Sequence, residues 1–528
     1  MRILFYVPDN QVTGNFMPQL WPFVLQSLTP PEHQVTIIDG NAQHLSPEEL
    51  VRFVQEKQID LVGMGFMTRM AQSAYRMAAA LRAATKVRIV MGGPHVTAVP
   101  DEPLGLTGQP QHADAVVVGE ADELWPQILR DAENGCLRRT YEPELVDGKE
   151  AKPTLDRYPA IPWEQLDLRL FNLMRFVPPT VKTLLRRFGF RYDNVYAIPM
   201  ETGRGCPYGC EFCTVTGFFG TSIRFRRNED VVAEILRLKA MAKRNNGLVM
   251  TFFVDDNFAI NRARTKSLLR EMIANDACIP WTGQISINLL EDEELVQLIA
   301  ASGARWIFMG LESVDARSLK LARKSFNKPS QYKKVLNTLA KYNLYGITSF
   351  IYGLEEDVPG VSASTVEQID SWPPGLSVFG LLTPYPQTPL YDRLKAEGRL
   401  TRPQHWLDFR AFKTAFVPKG MTSDEAEAEV RESWTHCYSP AAFRETQEWM
   451  VKHGKSFAYQ LMLVVGRLLF RGIYFPQMNR WAWLKLLAQN APTLASLAWS
   501  GWCGHRAVRP LPKLPQPAVA SATLNPEP

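Results

Sequence analysis

The 528-residue chain has few cysteines and no long apolar run, and both absences narrow what it can be. Seven cysteines, four of them scattered, do not suggest the disulfide framework of a small secreted protein, so we expect a reducing, cytoplasmic location. No run of about 20 apolar residues occurs, so we expect no membrane-spanning helix. The first residues read as a strand and lack the charged and apolar regions of a secretory signal, so none is expected.

Acidic residues are scarce in the last part of the chain, although the net charge of the whole is only +5. Beyond residue 450, Glu527 is the one carboxylate against nine basic residues: Lys452, Lys455, Arg467, Arg471, Arg480, Lys485, Arg506, Arg509 and Lys513. Residues 456–502 combine these charges with apolar runs and four tryptophans, which suits peripheral contact with the anionic inner face of a membrane. Packing of the same stripe against the protein is the alternative. No nucleic-acid-binding motif accompanies the charge, so we expect no nucleic-acid partner.

The cysteines that are present include three in one short segment. Cys206, Cys210 and Cys213 follow C-x3-C-x2-C spacing between flanking glycines. Thiolates at this spacing can share one iron–sulfur cluster, which normally takes four cysteine ligands. Three ligands leave one iron open, as catalytic rather than structural metal sites do. A zinc loop is the alternative, but it would need a fourth Cys or His close by, and the sequence has none there.

This segment, with Phe212 as the aromatic residue before the third cysteine, resembles the radical S-adenosylmethionine (SAM) superfamily. The resemblance implies that Cys206, Cys210 and Cys213 hold a [4Fe-4S] cluster whose open iron binds SAM. It also implies an external electron donor, of the flavodoxin or ferredoxin type, and cleavage of SAM to a 5′-deoxyadenosyl radical. The cofactor supplies this chemistry, and the protein positions the cofactor and substrate and excludes water from the site.

Before this segment, residues 1–145 alternate strand-like and helix-like stretches, which predicts an open, mostly parallel sheet wrapped by helices. Glycines and polar residues stand where its strands should end, where such sheets bind ligands. The arrangement resembles the cobalamin-binding subgroup of radical SAM proteins, and Gln11 stands where other cobalamin domains carry a cobalt-ligating His. The resemblance implies a cobalamin site formed by Gln11, Gly65, Thr68, Gly92, Gly93, His95, Gly119 and Glu120. A nucleotide-type domain, or one that binds nothing, is the alternative.

The alternation resumes over residues 191–400, where six strand–helix units match the partial barrel of the radical SAM family. The predicted strands are Tyr196–Glu201, Met250–Val254, Thr282–Ile287, Trp306–Leu311, Thr348–Tyr352 and Leu376–Leu382. Polar residues at their ends are the expected SAM contacts: Asp255, Asp256, Asn257, Gln284, Ser286, Glu312 and Gly353, beside Phe212. Carboxylates suit the SAM ammonium group, although an Asp/Asn cluster could instead cap the following helix.

The sequence thus predicts an α/β protein with a Rossmann-like cobalamin-binding domain, a partial (β/α)6 radical SAM barrel and a mainly helical C-terminal region. The expected divisions are a domain over 1–145, a linker over 146–190, the barrel over 191–400, helices over 401–508 and a disordered, proline-rich tail over 509–528. The resemblance implies methylation of an unactivated carbon of a small hydrophobic substrate, a lipid or tetrapyrrole. The alternatives are a cyclase or oxidoreductase, similar to the anaerobic cyclase of chlorophyll biosynthesis, and a non-catalytic iron–sulfur or cobalamin carrier.

Overall fold

The computed structural model describes residues 1–10, 17–146, 149–156, 158–176, 192–474 and 480–503, together with positions 179, 182, 183 and 186. The predictions for Gln11 and for a disordered tail over 509–528 concern residues outside these ranges. Much of the second half of the predicted linker lies outside them as well. Its described part contains two short 3-10 segments, Trp163–Gln165 and Leu173–Phe176.

The N-terminal region is built on a six-stranded parallel sheet. Its strands are β1 (Arg2–Val7), β2 (Gln34–Asp39), β3 (Leu61–Gly65), β4 (Arg88–Gly92), β5 (Ala115–Val117) and β6 (Thr140–Tyr141). They lie in the order β2-β1-β3-β4-β5-β6, and all neighbouring pairs are parallel. The helices of this region are α1 (Trp21–Ser27), α2 (Pro47–Glu56), α3 (Ala71–Ala84), α4 (Pro94–Ala98) and α5 (Trp125–Glu133).

Both faces of this sheet are buried, which explains why its central strands read as continuous apolar runs. Ile3 and Phe5 of β1 pack in the cluster on one face, and Leu4 and Tyr6 pack in the cluster on the other. The strand order reverses direction between β1 and β3, and the carboxyl ends at such a point form a crevice for ligands. The Rossmann-like architecture expected from the sequence is confirmed.

A short antiparallel pair, β7 (Leu145–Val146) and β8 (Lys149–Glu150), leads away from this region. The second large sheet begins with β9 (Asn194–Met200), after which an antiparallel pair, β10 (Gly203–Arg204) and β11 (Arg224–Phe225), frames the cysteine segment. The remaining strands are β12 (Gly247–Phe253), β13 (Trp281–Gln284), β14 (Ala304–Glu312), β15 (Tyr345–Tyr352) and β16 (Leu376–Leu381). The order β16-β15-β14-β13-β12-β9, parallel throughout, is that of a curled half-barrel.

Helices connect these strands as the predicted six-unit barrel requires. They are α6 (Val215–Phe218), α7 (Asn228–Arg244), α8 (Arg262–Ala274), α9 (Glu293–Ala301), α10 (Ala316–Leu321), α11 (Pro329–Lys341), α12 (Val361–Asp370) and α13 (Pro389–Ala396). One strand is shorter than predicted, because β13 ends at Gln284 and a 3-10 turn starts at Ile287. Ser286 therefore stands directly before that turn and does not continue the strand.

The C-terminal region is helical, as predicted. It contains α14 (Ser423–Cys437), α15 (Pro440–Lys452), α16 (Phe457–Tyr474), α17 (Arg480–Gln489) and α18 (Ala491–Cys503). Trp434 of α14 donates its indole N–H to the carbonyl of Phe379, so α14 covers the edge strand β16. Leu463 and Val464 of α16 are buried in the barrel's cluster, so this apolar stripe packs on the protein. Among the described residues, none of the helices has the length and hydropathy to cross a bilayer.

Candidate active site

The cysteine segment leaves the carboxyl end of β9 and passes through the β10–β11 pair. Gly205 has φ +93°, and a β-carbon there would stand 2.2 Å from the carbonyl oxygen of Ser222, so this position requires glycine. The N–H of Cys206 donates to the carbonyl of Gly220, and the N–H of Cys213 donates to that of Cys210 at 3.1 Å. The three thiols are therefore held in one compact, hydrogen-bonded loop at the barrel's carboxyl edge.

The three cysteines are free thiols in a largely buried environment. Burial raises the pKa of each of them. The pKa of Cys210 reaches about 11, mainly through burial, with a contribution from the neighbouring Cys213 and Cys206. Within the described ranges, no three His, Cys, Asp or Glu side chains stand in the arrangement of a metal site. A thiolate in such surroundings needs a compensating cation, which is what a bound iron–sulfur cluster provides. The donor set fits that group by its chemistry and by its presentation on a single loop.

A buried ion pair lies next to this loop. Lys324 donates from Nζ to Glu312 Oε1 at 2.6 Å, and its ammonium stands 5.8 Å from the ring of Phe212. The positive charge of Lys324 lowers the pKa of Cys210, against the larger effect of burial. Glu312 ends β14 with φ +66°, a backbone conformation uncommon for this residue type and frequent at functional sites. The sequence pointed to Glu312 and Phe212, but it offered no signal for Lys324.

Two buried carboxyl groups follow β12. Asp255 accepts from the N–H and the hydroxyl of Thr202, at 2.7 and 2.6 Å, and Asp256 accepts from the N–H of Gly205 at 3.0 Å. Burial raises the pKa of Asp255 to about 7 and that of Asp256 to about 6. The helix α8 is capped by Asn261 itself, so neither carboxyl group is needed there. Both instead anchor the backbone at the approach to the cysteine loop, through Thr202 and Gly205.

Polar groups continue along the ends of β13 and β15. Asn257 and Ser286 bond each other twice, from Asn257 Nδ2 to Ser286 Oγ at 2.8 Å and from the Ser286 N–H to Asn257 Oδ1 at 3.2 Å. The carbonyl of Gln284 accepts from the N–H of Phe258, so its backbone supports the turn after β12. Gly353 directly follows β15 at φ +89°, which favours glycine there.

The segment after β16 returns to the cysteine loop and closes the barrel. The N–H of Leu390 donates to the carbonyl of Glu211, and Arg393 pairs with the Glu211 carboxylate at 2.7 Å. Gln387 has φ +63° and donates from Nε2 to the carbonyl of Thr97. This bond links the barrel to the N-terminal region.

A second link is a buried cluster of charges between the two sheets. Arg204, directly before Gly205, contacts Glu120 and Asp122 of the N-terminal region at 2.7 and 3.0 Å, and Glu201 of the barrel at 2.8 Å. Arg224 also pairs with Glu120 at 2.8 Å. Glu120, predicted to contact cobalamin, therefore lies in the joint between the two regions.

The other predicted cobalamin contacts gather at the carboxyl edge of the N-terminal sheet. Gly93 starts α4 at φ +92°, and a β-carbon there would stand 2.8 Å from the N atom of Phe66. His95 is fully buried and bonds the hydroxyls of Tyr75 and Thr68 at 3.1 and 3.3 Å. The His95 ring is therefore part of a buried hydrogen-bond network. Gly65, Gly92 and Gly119 place no side chains at the ends of their strands.

Known protein families match three successive parts of the chain. Residues 11–129 match the B12 binding domain, residues 200–366 match the radical SAM superfamily, and residues 388–490 match a domain of unknown function, DUF4070. The chain belongs to the cobalamin-binding radical SAM superfamily. The superfamily's cysteine motif, at Cys206, Cys210 and Cys213, lies within the second of these matches.

The chain is similar in sequence to two methyltransferases and to a cyclase. The bacteriochlorophyllide d C-8(2)-methyltransferase of Chlorobaculum tepidum is 27% identical over 72% of this chain and 76% of its own length. The hopanoid C-2 methylase of Rhodopseudomonas palustris is 24% identical, over 83% of this chain and 74% of its own. The anaerobic magnesium-protoporphyrin IX monomethyl ester cyclase of Cereibacter sphaeroides is 26% identical, over 84% and 71%.

The fold also matches a solved structure. The cobalamin-dependent S-adenosylmethionine radical enzyme OxsB, with aqua-cobalamin bound, aligns with a TM-score of 0.62 at 11% identity. The alignment covers 94% of this chain and 80% of that one. At this identity the likeness concerns the fold alone, and it extends from the N-terminal sheet into the C-terminal helices.

Proposed function

We propose that the protein is a cobalamin-dependent radical SAM enzyme that methylates an unactivated carbon of a hydrophobic substrate. One observation carries the proposal: the cysteine loop is fastened through Arg204 to the carboxyl edge of a B12-binding sheet. Two cofactor sites are thereby fixed beside each other, as an enzyme that passes a group between two cofactors requires. We place the functional units at 1–145 for cobalamin, 191–400 for the cluster and SAM, and 401–508 for the helices, with 146–190 as linker and 509–528 as tail.

Three groups would be held by the residues described above. Cys206, Cys210 and Cys213 would hold a [4Fe-4S] cluster, and the strand ends around Gly65 and Gly93 would hold cobalamin. When bound, the cluster, SAM and cobalamin supply hydrogen abstraction and methyl transfer, chemistry that no side chain can perform. A flavodoxin- or ferredoxin-type protein would supply the electron.

The chain's own residues position SAM and keep its surroundings dry. In this proposal Asp255 and Asp256 would face the SAM ammonium, and a cation there would lower their raised pKa values and keep them ionised. Asn257, Gln284, Ser286 and Gly353 complete the proposed SAM contacts along the barrel edge. Glu312 is held by Lys324, so its carboxylate is already oriented before any ligand arrives. Phe212 packs against the same pair and excludes water.

The C-terminal helices support a proposal for location. Trp481 of α17 and Trp499 of α18 are 80% and 69% exposed, with Leu484 exposed between them. Residues 449–526 contain no carboxylate side chain, so this face would be attracted to an anionic bilayer. We propose a cytoplasmic protein that associates peripherally with the inner membrane face through α17 and α18. Flotation with vesicles of anionic and zwitterionic lipid tests this, and a Trp481→Ser/Trp499→Ser variant that floats equally well would contradict it.

Cyclisation or oxidation is the second candidate, because the cyclase of Cereibacter sphaeroides is as similar as the methyltransferases are. The two reactions differ in product mass, since methyl transfer adds one methylene unit and ring closure does not. A non-catalytic carrier is the third candidate, and the two buried carboxyl groups beside the cysteine loop, Asp255 and Asp256, argue against it. A carrier has no need of a SAM site.

The deciding experiment uses anaerobically reconstituted protein with cobalamin, SAM and a strong reductant. Mass spectrometry would quantify 5′-deoxyadenosine and S-adenosylhomocysteine, with a Cys206/Cys210/Cys213→Ala triple variant as the control. We expect both products from the wild-type protein, with S-adenosylhomocysteine dependent on cobalamin. Deoxyadenosine alone would favour the cyclase, and neither product, with candidate substrates present and the cluster loaded, would favour the carrier.

A further inference from the structure

A cavity of about 320 Å³ lies at the junction of the N-terminal region and the last barrel strand. The second half of β16 forms one wall, residues 402–415 form another, and Arg69 reaches it from the turn after β3. Its volume is at the lower end of the range for small-molecule pockets, about 300–1,000 Å³. The segment that follows β16 lines this cavity at Tyr385 and reaches the cysteine loop at Leu390. The cavity is therefore connected to the candidate active site by six residues of chain.

The charge of this cavity is predominantly positive. Arg69, Arg402, Arg410 and Lys413 line it, with Asp408 as the one carboxylate among the lining residues. Asp408 is shared between Arg402 at 3.8 Å and Arg410 at 3.2 Å, and Lys413 pairs with Glu427 from outside. Among the described residues, the Nε of Arg69 is buried and has no hydrogen-bond partner. The four cations thus exceed the carboxylates available to them.

A buried histidine in the same wall lacks partners. His405 is 3% exposed, and neither ring nitrogen has a hydrogen-bond partner among the described residues. Burial lowers its pKa to about 4, so the ring is neutral at physiological pH and offers one donor and one acceptor. A buried polar group without a partner is costly, and such a group in a cavity wall indicates that a ligand or water completes it.

The remaining wall is aromatic and contains one strained residue. Phe379, Tyr385, Phe409 and Trp434 give it flat apolar surfaces. Phe412 has φ +62°, a left-handed conformation that costs about 1–2 kcal/mol for a residue with a side chain. Such strain occurs at ligand sites, where the surrounding structure maintains it.

We propose that this cavity binds the anionic group, a carboxylate or a phosphate, of a substrate whose body is aromatic or apolar. The proposal rests on the proposed function, and it narrows the substrate from any hydrophobic molecule to one that carries a negative charge. Arg402 and Arg410 hold the anion, His405 donates the third hydrogen bond, and the aromatic wall contacts the body. An uncharged lipid leaves these groups unpaired and binds weakly.

The test is equilibrium dialysis of the full-length protein against matched probes, with the cluster and cobalamin loaded. Protoporphyrin IX is compared with its dimethyl ester, and hexadecyl phosphate with hexadecanol, so that each pair differs in charge and shares its apolar body. We expect the charged member of at least one pair to bind about tenfold more tightly or better, and the pair that shows the preference distinguishes carboxylate from phosphate. Equal binding within both pairs would overturn the proposal.

Substitutions locate the effect. Arg402→Gln, at a half-buried position, and Arg410→Gln, at an exposed one, should each reduce the charge preference about threefold and should together remove it, while Arg169→Gln on the exposed surface should leave it unchanged. His405→Phe keeps a ring of similar size. It should weaken binding of the charged probe and leave binding of the neutral probe unchanged. A preference that survives Arg402→Gln/Arg410→Gln would overturn the assignment.

Two further outcomes distinguish the proposed substrate site from a cobalamin site and from the proposed methyl-transfer function. Cobalamin itself carries a phosphate, so a charge preference present without cobalamin and absent after loading would assign the cavity to that cofactor and overturn the substrate site. The dialysis requires no turnover, so it can succeed even if no methylated product is ever found. Failure of the charge preference, conversely, leaves the formation of deoxyadenosine unaffected.

Discussion

The strand ends of the two parallel sheets differ in the residues that they present to a ligand. At the barrel's edge the strands end in charged and buried groups, with Asp255, Asp256, and the Glu312–Lys324 pair around the cysteine loop. At the N-terminal sheet's edge β3 and β4 end in glycines, Gly65 and Gly92, and His95 is enclosed in a network. The barrel's edge is suited to a small charged ligand held by specific bonds. The N-terminal edge is suited to a large ligand that lies against the backbone.

The largest expected effect is loss of the cluster from the barrel's edge. Replacing any one of Cys206, Cys210 or Cys213 by alanine should abolish iron and sulfide retention after reconstitution, because three ligands are the fewest that hold a cube with one open iron. Iron content and the visible absorbance of the cluster measure this. Cys136→Ala is the matched control, since this exposed thiol lies outside the loop. Full retention of the cluster by a single-cysteine variant would contradict the assignment.

Breaking the Glu312–Lys324 pair should have the next largest effect. Lys324→Met leaves the buried Glu312 carboxylate unpaired, and loss of one partner of such a pair costs about 3–5 kcal/mol of unfolding free energy. Denaturant unfolding measures it, with the exposed Lys320→Met as control. A Lys324→Met/Glu312→Leu double variant should recover most of the stability while SAM binding stays weak. Recovery of both would mean that the pair is purely structural.

The pH dependence of stability tests the barrel's buried carboxyl groups. Burial raises the pKa of Asp255 from an ordinary 3.8 to about 7, so the folded protein holds this proton more tightly than the unfolded chain. Its contribution to the free energy of unfolding is therefore largest below pH 4 and declines as the pH rises to 7, by about 1.4 kcal/mol per pKa unit. Asp255→Asn should remove this decline, whereas the exposed Asp424→Asn should not. Identical profiles for wild type and Asp255→Asn would contradict the raised pKa.

A smaller effect is expected at the N-terminal sheet's edge. Gly93→Ala places a β-carbon 2.8 Å from the N atom of Phe66 and also forces alanine to adopt φ +92°. Gly108→Ala imposes a similar φ, +81°, in open space, so it isolates the cost of the backbone conformation. We expect about 1 kcal/mol for Gly108→Ala and about 2 kcal/mol for Gly93→Ala, which should also weaken cobalamin retention. Equal costs, with cobalamin binding unchanged, would show that the edge at Gly93 is not a close-approach surface.

The architecture was largely predictable because its signals are local. Apolar strands alternating with amphipathic helices identified both sheets, and the ends of the predicted barrel strands lie within three residues of the observed ones, with β13 the strand predicted too far at its carboxyl end. That strand was overestimated because Ile285 and Ile287 are buried and continue its apolar pattern, although Ile285 lies beyond the strand and Ile287 starts a 3-10 turn. The cysteine spacing identified the loop, and its position after the first barrel strand followed from the resemblance.

The residues that sequence analysis missed act through contacts between distant parts of the chain. Arg204 meets Glu120 and Asp122 across more than 80 positions, and nothing local marks it as different from other arginines. Lys324 follows α10 in a segment without a motif. The strand-end residues Asp255, Asn257 and Ser286 were located correctly, but their mutual bonds, and those of Asp255 to Thr202, depend on how the strands pair.

The charge cluster at Arg204 has a consequence for how the protein is assembled. Arg204 directly precedes Gly205 of the cysteine loop. Its guanidinium donates to Glu120 and Asp122 of the N-terminal region and to Glu201 of the barrel. Separation of the two regions at this point would expose three carboxylates and a buried guanidinium at once. We therefore expect cobalamin to be loaded without separation of the two regions at this contact, so that the cysteine loop is held while the N-terminal site is filled.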